Sequence, residues 1–332
     1  MENRRYLLKS RPTGMPEPGN FELEEIEIPT PTDGEVKIQA RYISVDPYMR
    51  GRMRDAESYV APFEVGEPIV GGIVAEVVES RNSDFEEGDW VMGNLPWQEE
   101  QAVTPDQVRK IDENAVPPSY YLGVLGMPGM TAYFGLLEIG QPREGETVLI
   151  SAAAGAVGSV VGQIARQKGC RVVGIAGSDN KTRYLEKELH FDETINYKTT
   201  DDMQAAIEES CPDGVDVYFD NVGGPISDAV LTQINNRARM VICGQIALYN
   251  ATDQPTGPRP QPVLIKKRAR MEGFIVSDFS DRYNEGVKDI SNWLREDKIQ
   301  YKETITQGFE KLPETFIGLF HGENIGKYLV KV

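Results

Sequence analysis

Between Thr147 and Lys168 the chain passes from a short apolar run, Thr147-Val148-Leu149-Ile150-Ser151, through glycine-punctuated residues 152–158 and straight into a helical stretch. A strand that feeds a helix through a glycine turn is the opening unit of a parallel sheet, because parallel strands need a crossover and the helix supplies it. The unit repeats. Arg171-Val172-Val173-Gly174-Ile175-Ala176 reads as a second strand, and residues 180–189 read as a helix with Ser178 or Asp179 as its N-cap. Val215-Asp216-Val217-Tyr218-Phe219-Asp220 and Arg239-Met240-Val241-Ile242-Cys243-Gly244 add strands around a helix near 226–234, and 271–276 is strand-like again. The pattern predicts an α/β fold with a doubly wound parallel sheet.

The first third reads differently. Residues 35–40 alternate polar and apolar, as a half-buried strand does. Residues 69–78 read as a buried strand in which Gly71 and Gly72 permit a bend or a close backbone approach. Residues 84–91 supply a turn and another strand start, and the frequent Gly and Pro suggest a partly closed antiparallel barrel. The character changes after about Pro128. Strand character returns at 327–332, so the chain end is expected to rejoin the first domain, while Pro-rich 254–262 reads as a loop covering a site. At 332 residues, two domains are the default.

The formal charge of −17 argues against nucleic acid as a partner, since phosphate binding needs a basic surface. It fits either a salty cytoplasm, toward which the excess of arginine over lysine leans, or plain solubility. The N-terminus is charged too early for a secretory signal, and no apolar run reaches the roughly 20 residues that span a bilayer. Cys170, Cys211 and Cys243 stand singly, which fits a reducing compartment, so a cytoplasmic address is expected.

The turn Ala153-Ala154-Gly155-Ala156-Val157-Gly158 lies where a dinucleotide fingerprint belongs. Gly155 would let the backbone approach a pyrophosphate, Gly158 would let helix and strand pack closely, and the helix N-terminus offers N–H groups and a positive dipole end. Ala153 departs from the usual first glycine, and the alternative is an alanine- and glycine-rich helix start without a ligand. After the second strand, an NAD enzyme would place a carboxylate for the ribose 2′-hydroxyl. Here small residues and a cation follow, Gly177-Ser178-Asp179-Asn180-Lys181. Ser178 and Lys181 suit the 2′-phosphate of NADP(H). Asp179 dissents unless it caps the helix, and Lys181 could equally be a solvated helix lysine.

No spacing of Cys and His predicts a zinc site, and neither a serine nucleophile elbow nor a catalytic cysteine is legible. Hydride addition to a plain carbonyl builds alkoxide charge that a metal often stabilises, whereas conjugate addition spreads the charge into an enolate that hydrogen-bond donors can hold. A chain without zinc ligands therefore suits activated alkenes better than alcohols.

These residues resemble the zinc-independent medium-chain dehydrogenase/reductases, in particular the leukotriene hydroxydehydrogenase/prostaglandin reductase group with its alkenal and curcumin reductases. The resemblance runs nearly end to end. It rests on Val45-Asp46-Pro47-Tyr48-Met49-Arg50-Gly51-Arg52-Met53, Gly126-Met127-Pro128-Gly129-Met130-Thr131-Ala132-Tyr133, residues 152–158 with Gly177-Ser178, Asn196-Tyr197-Lys198, Asp220-Asn221-Val222-Gly223-Gly224 and Gly322-Glu323-Asn324-Ile325-Gly326-Lys327. It implies a GroES-like catalytic domain from residues 1–125 and 303–332 around a Rossmann domain at 126–302, usually as a homodimer. It further implies NADP(H) held by Ser178, Lys181 and Tyr197 at the adenosine phosphate and by Gly155, Ala156, Val157 and Gly158 at the pyrophosphate. Asn221, Tyr249, Asn324 and backbone from Phe274 to Val276 would line the nicotinamide half, with Thr131 a further contact. Two positions depart from the family: Ala247 replaces a common serine, and His190 replaces the glycine that usually ends a helix, which histidine tolerates in a left-handed conformation.

Tyr48 and Tyr249 are the catalytic candidates. Tyr48 follows Asp46-Pro47, which sets an extended-then-turn path, and its phenol could donate to a developing enolate or protonate the α-carbon. The alternative for Tyr48 is an aromatic packed at a domain edge. Tyr249 follows the strand ending at Gly244, on the side where such sheets bind ligands. Arg50, Arg52 and Arg54 either meet an acidic substrate tail or form a solvated face with domain contacts. The expected activity is NADPH-dependent reduction of the C=C bond of small α,β-unsaturated carbonyl compounds. A quinone reductase and an NADPH-binding sensor or structural protein without turnover stay open.

Overall fold

In the computed structural model, residues 3–332 are described. Two strands, β1 (Asn3–Leu8) and β2 (Phe21–Ile26), pair antiparallel. They are followed by β3 (Val36–Ser44), α1 (Met49–Arg52), β4 (Val70–Ser80), β5 (Trp90–Pro96), β6 (Glu100–Val103) and β7 (Arg109–Lys110). β4 pairs antiparallel with β3 on one side and β5 on the other. The close approach expected at the two glycines is real. A Cβ on Gly71 would stand 2.5 Å from the Met49 side chain and 3.0 Å from the Trp97 indole, and one on Gly72 would stand 3.1 Å from Leu122. Residues 84–91 hold the expected turn and strand start: Asn82 and Asp89 organise 82–89 as turns through side-chain bonds to backbone N–H groups, and β5 begins at Trp90.

From Gly123 onward the chain builds a parallel sheet: β8 (Thr147–Ile150), β9 (Arg171–Ala176), β10 (Glu193–Asn196), β11 (Val215–Asp220), β12 (Ile234–Ile242) and β13 (Arg270–Gly273). The strand order is β10-β9-β8-β11-β12-β13. The order reverses between β8 and β11, so the carboxyl ends of those two strands flank the switch point where such sheets open a crevice. The helices are α2 (Met127–Phe134), α3 (Gly158–Gln167), α4 (Asp179–Lys187), α5 (Met203–Ser210), α6 (Gly224–Leu231), α7 (Gln261–Lys267) and α8 (Tyr283–Arg295). β8 and β9 are almost wholly buried, as apolar runs covered on both faces must be. β12 starts five residues earlier than its apolar pattern indicated; a register shift in its pairing with β11 and left-handed Arg237 (φ 64°) carry polar Asn235, Asn236 and Arg237 through the strand. The loop read at 254–262 gives way to α7 at Gln261. His190 is left-handed, with φ 58°.

The last strands, β14 (Glu303–Gln307) and β15 (Lys327–Lys331), with α9 (Leu312–His321) between them, return to the antiparallel sheet. One edge of β3 is shared: Val36–Gln39 pair with β6, and Tyr42–Ser44 pair with β15. Sharing an edge at bulged positions bends a sheet toward a barrel. The core here is Leu8, Ile38, Ile43, Ile73, Val91 and Trp97, closed by Phe309 and Phe316.

The chain thus divides into two units. One runs to Leu122 and takes back Glu303–Asn324 and Tyr328–Val332; the other holds Gly123–Lys302 and Ile325–Lys327. The short return belongs to the second unit because Gly326 bridges to Gly155 and its N–H donates to the Ala154 carbonyl at 2.8 Å. Among the described residues, no helix is long and apolar enough to cross a membrane.

Candidate functional site

In the second unit, most sequence-predicted residues stand at the carboxyl ends of the parallel strands. β8 ends in a turn that includes left-handed Ala152 (φ 48°) and leads into α3. A Cβ on Gly158 would stand 2.6 Å from the Ala152 carbonyl oxygen and 2.8 Å from the Ala153 Cα, both backbone atoms that cannot swing away. Glycine is therefore required there for the helix to approach the strand. Gly155 is different: a Cβ would meet only the Ala152 oxygen, at 3.2 Å. The chain does not fill that side of Gly155, and Gly155, Ala156 and Val157 remain partly exposed beside N–H groups that the first turn of a helix leaves without internal acceptors. This is a cradle that suits a pyrophosphate.

At the ends of β9 and β10 a second group forms. Ser178 caps α4, its hydroxyl accepting from the Lys181 N–H at 3.3 Å. Asp179 is not the cap. It occupies the first turn, and the Asn196 amide donates to its carboxylate at 2.7 Å, which gives the dissenting acid a partner within the protein. The Tyr197 ring lies against Gly177, where a Cβ would come within 2.8 Å of it. Burial lowers the Lys181 ammonium pKa below its ordinary 10.5, and the neighbouring Lys198 lowers it further. Two neighbouring lysine cations, next to a serine and an exposed tyrosine edge, are matched by one dianion. Lys198 was not among the predicted site residues. Its signal was the Asn196-Tyr197-Lys198 run, which pairing of β10 with β9 brings beside Ser178.

At the switch point, Asp220 is buried and its carboxylate accepts from five donors. Its Oδ1 takes Ser151 Oγ at 3.1 Å, Tyr218 Oη at 3.0 Å and the N–H groups of Val222 and Gly223 at 3.0 and 2.9 Å, while Oδ2 takes the Ser227 hydroxyl. Asn221 is thereby held rigidly: its N–H donates to Ser151 Oγ at 2.9 Å and its amide to the Ser151 carbonyl at 2.8 Å. That second bond uses an amide proton and leaves Oδ1 as an acceptor. Sequence reading named Asn221 but missed Ser151 and Asp220, which come together across two strands.

Tyr249 follows β12, its hydroxyl accepting from the Gln245 N–H at 3.4 Å, and burial raises its pKa above that of an ordinary phenol. Phe274 and Val276 follow β13. The Thr131 hydroxyl donates to the Met127 carbonyl at 2.7 Å, so it can meet a ligand only as an acceptor.

Tyr48 and Asn324 belong to the first unit. Tyr48 immediately precedes α1 at its N-cap, with the Asp46 carbonyl accepting the Met49 N–H at 3.1 Å and the Ser44 hydroxyl bonded to the Asp46 carboxylate. Burial raises the phenol's pKa well above 10, the Asp46 charge adds to the rise, and Arg52 opposes it partly through a side-chain hydrogen bond. Of the arginines, Arg50 and Arg52 make the contacts within their domain, and the solvated face reduces to Arg54. Arg50 is 1% exposed and donates to the Gly14 carbonyl at 2.8 Å and the Pro12 carbonyl at 3.3 Å. Arg52 lies over the Phe63 ring, and only Arg54 is exposed.

Among the described residues, no three His, Cys, Asp or Glu side chains gather as metal ligands, so the donors present do not fit a zinc centre. Burial pushes the Cys170, Cys211 and Cys243 thiols up to about 11, about 12 and about 12.

Residues 4–111 match the N-terminal domain of oxidoreductases, and residues 156–292 match a family described as zinc-binding dehydrogenase. A Bacillus subtilis relative, provisionally named NADP-dependent oxidoreductase YfmJ, is 58% identical over 98% of this chain and 96% of its own. The NADPH-dependent curcumin reductase of Escherichia coli is 48% identical over 99% of this chain and 97% of its own. The crystal structure of CurA from Vibrio vulnificus in complex with NADPH has a TM-score of 0.95 and 45% identity, covering 99% of each chain.

Proposed function

The chain belongs to the zinc-independent medium-chain dehydrogenase/reductases, and from that premise we propose that it reduces the carbon–carbon double bond of α,β-unsaturated aldehydes and ketones with NADPH. The observation that carries the cofactor half is the pairing of Lys181 with Lys198 beside Ser178 and Tyr197, an arrangement suited to a 2′-phosphate. The name of the E. coli relative supports both halves, since curcumin is a conjugated enone, and the NADPH complex of the V. vulnificus relative supports the cofactor half.

On this reading Gly155, Ala156, Val157 and Gly158 hold the pyrophosphate, Ser178, Lys181 and Tyr197 the adenosine phosphate, and Asn221, Tyr249, Asn324, Thr131, Phe274 and Val276 the nicotinamide half. When bound, NADPH supplies a hydride for the β-carbon. The chain's own residues then have two tasks. Asn221, fixed by Ser151 and the buried Asp220, presents Oδ1 to an amide donor at no reorganisation cost. Tyr48, whose phenol stays protonated across the neutral range, donates a hydrogen bond to the carbonyl oxygen as negative charge spreads onto it, or gives its proton to the α-carbon. Tyr249 has the same capacity from the second unit. The reading includes the homodimer that the resemblance implies and the cytoplasmic address expected from the single cysteines and the charged N-terminus.

The test is NADPH consumption with a panel of 2-alkenals, enones and quinones. Turnover of alkenals and enones is expected. Inert enones beside active quinones would move the chain to the quinone reductases, and tight NADPH binding with no turnover at all would make it a sensor.

A further inference from the structure

Arg52 makes four attachments within the first unit. Its Nε–H donates to the Ala61 carbonyl at 2.8 Å, its guanidinium carbon lies 4.0 Å from the centre of the Phe63 ring, and its own carbonyl accepts the Phe63 N–H at 2.7 Å. The fourth is to Tyr48, one helical turn back: the Arg52 N–H meets the Tyr48 carbonyl at 3.4 Å, and the guanidinium faces the phenol first as a charge and then as a side-chain hydrogen-bond donor. A guanidinium has five N–H donors and no acceptor, so this bond runs in one direction, from Arg52 into a lone pair of the phenol oxygen. The phenol's proton is therefore not spent on Arg52. Stacking on Phe63 and the bond to Ala61 fix the plane of the guanidinium, and the plane in turn fixes where the phenol oxygen sits.

We infer that Arg52 is a positioning residue for Tyr48: clamped between Phe63 and Ala61, it holds the phenol oxygen from behind and leaves the O–H to be donated to the substrate carbonyl. The inference rests on Tyr48 being the donor in the reading above. Arg52 also strengthens the donation, because a phenol that accepts a charged hydrogen bond is a stronger hydrogen-bond donor itself. Lysine does not replace it, since one compact ammonium on a flexible stem cannot stack on Phe63 and bond to both Ala61 and Tyr48 in a fixed fork.

The test compares wild type, Arg52→Met, Arg52→Lys, Tyr48→Phe and the Tyr48→Phe/Arg52→Met double variant, each with an enone at saturating NADPH. Methionine keeps an apolar stem on Phe63, which limits damage to the 54–63 segment. Tyr48→Phe is expected to lower kcat by about 100-fold, the lower end of general acid catalysis. Arg52→Met lowers kcat about tenfold with KM for NADPH within about twofold, and Arg52→Lys recovers only part. In the Tyr48→Phe background, Arg52→Met changes kcat less than about twofold, because its target is already gone. An activity-free readout runs beside it. With Cζ-13C tyrosine, the Tyr48 resonance, assigned by its loss in Tyr48→Phe, moves in Arg52→Met without cofactor or substrate. The same loss from Arg52→Met in both backgrounds, or an unmoved Tyr48 resonance, would overturn the inference. Full kcat in Tyr48→Phe would overturn the donor assignment and the inference with it. Wild type inert to every enone would instead remove the reductase reading, which the resonance distinguishes.

Discussion

Replacing Lys181 with alanine separates phosphate recognition from every other part of the nucleotide site. Lys181 is half-buried, and its charge is disfavoured first by that burial and then by Lys198. A 2′-phosphate brings about −1.5 to −2 charges. One charge-assisted hydrogen bond contributes about 1.5–3 kcal/mol. At roughly 1.4 kcal/mol per factor of ten, Lys181→Ala should lower kcat/KM for NADPH by about 10- to 100-fold. NADH lacks the phosphate, so its kcat/KM should stay within about twofold. A thermal melt supplies the control, since a variant that stays folded isolates the effect on the cofactor. Steady-state kinetics with both cofactors and a thermal melt decide it. Equal losses for NADPH and NADH, or no loss for either, would refute the assignment of this corner to a phosphate.

Raising the pH should weaken NADPH before NADH. The cation of Lys181 is present below its lowered pKa and is lost as pH climbs through it, so KM for NADPH rises at a pH below 10.5 while KM for NADH stays flat over the same range. Gly158→Ala and Gly155→Ala should part company. The first presses a Cβ into backbone at 2.6 and 2.8 Å and should cost about 1–3 kcal/mol, seen as a melting point several degrees lower. The second meets one oxygen at 3.2 Å, should melt near wild type, and should raise KM for NADPH. The thiols pushed up to about 11 and about 12 should leave native protein silent to a disulfide reagent at pH 8, with three thiols appearing on unfolding.

The central sheet was legible because its strands are short, apolar and bounded by glycine turns: 171–176 and 215–220 match β9 and β11 residue for residue. The turn at 153–158 was legible for the same reason. What escaped was non-local. Arg50 looks like a surface charge until the carbonyls of Pro12 and Gly14, 36 or more residues earlier, accept from its Nε and Nη2 in the interior. Asp220 takes one of its five partners, Ser151, from 69 residues earlier, which no spacing rule reaches. Lys198 lies far from Ser178 along the chain, and only the parallel pairing of β10 with β9 puts the two side by side. Asp179 illustrates a local ambiguity. Serine and aspartate compete for the cap, and the extended backbone of Ser178 (φ −164°, ψ 155°) decides in favour of serine.

The most direct measurement uses NADPH carrying deuterium at C4 of the nicotinamide, with a 2-alkenal as substrate and the product read by NMR. A saturated aldehyde with deuterium on its β-carbon is the predicted result. An allylic alcohol with deuterium on the former carbonyl carbon would contradict the account.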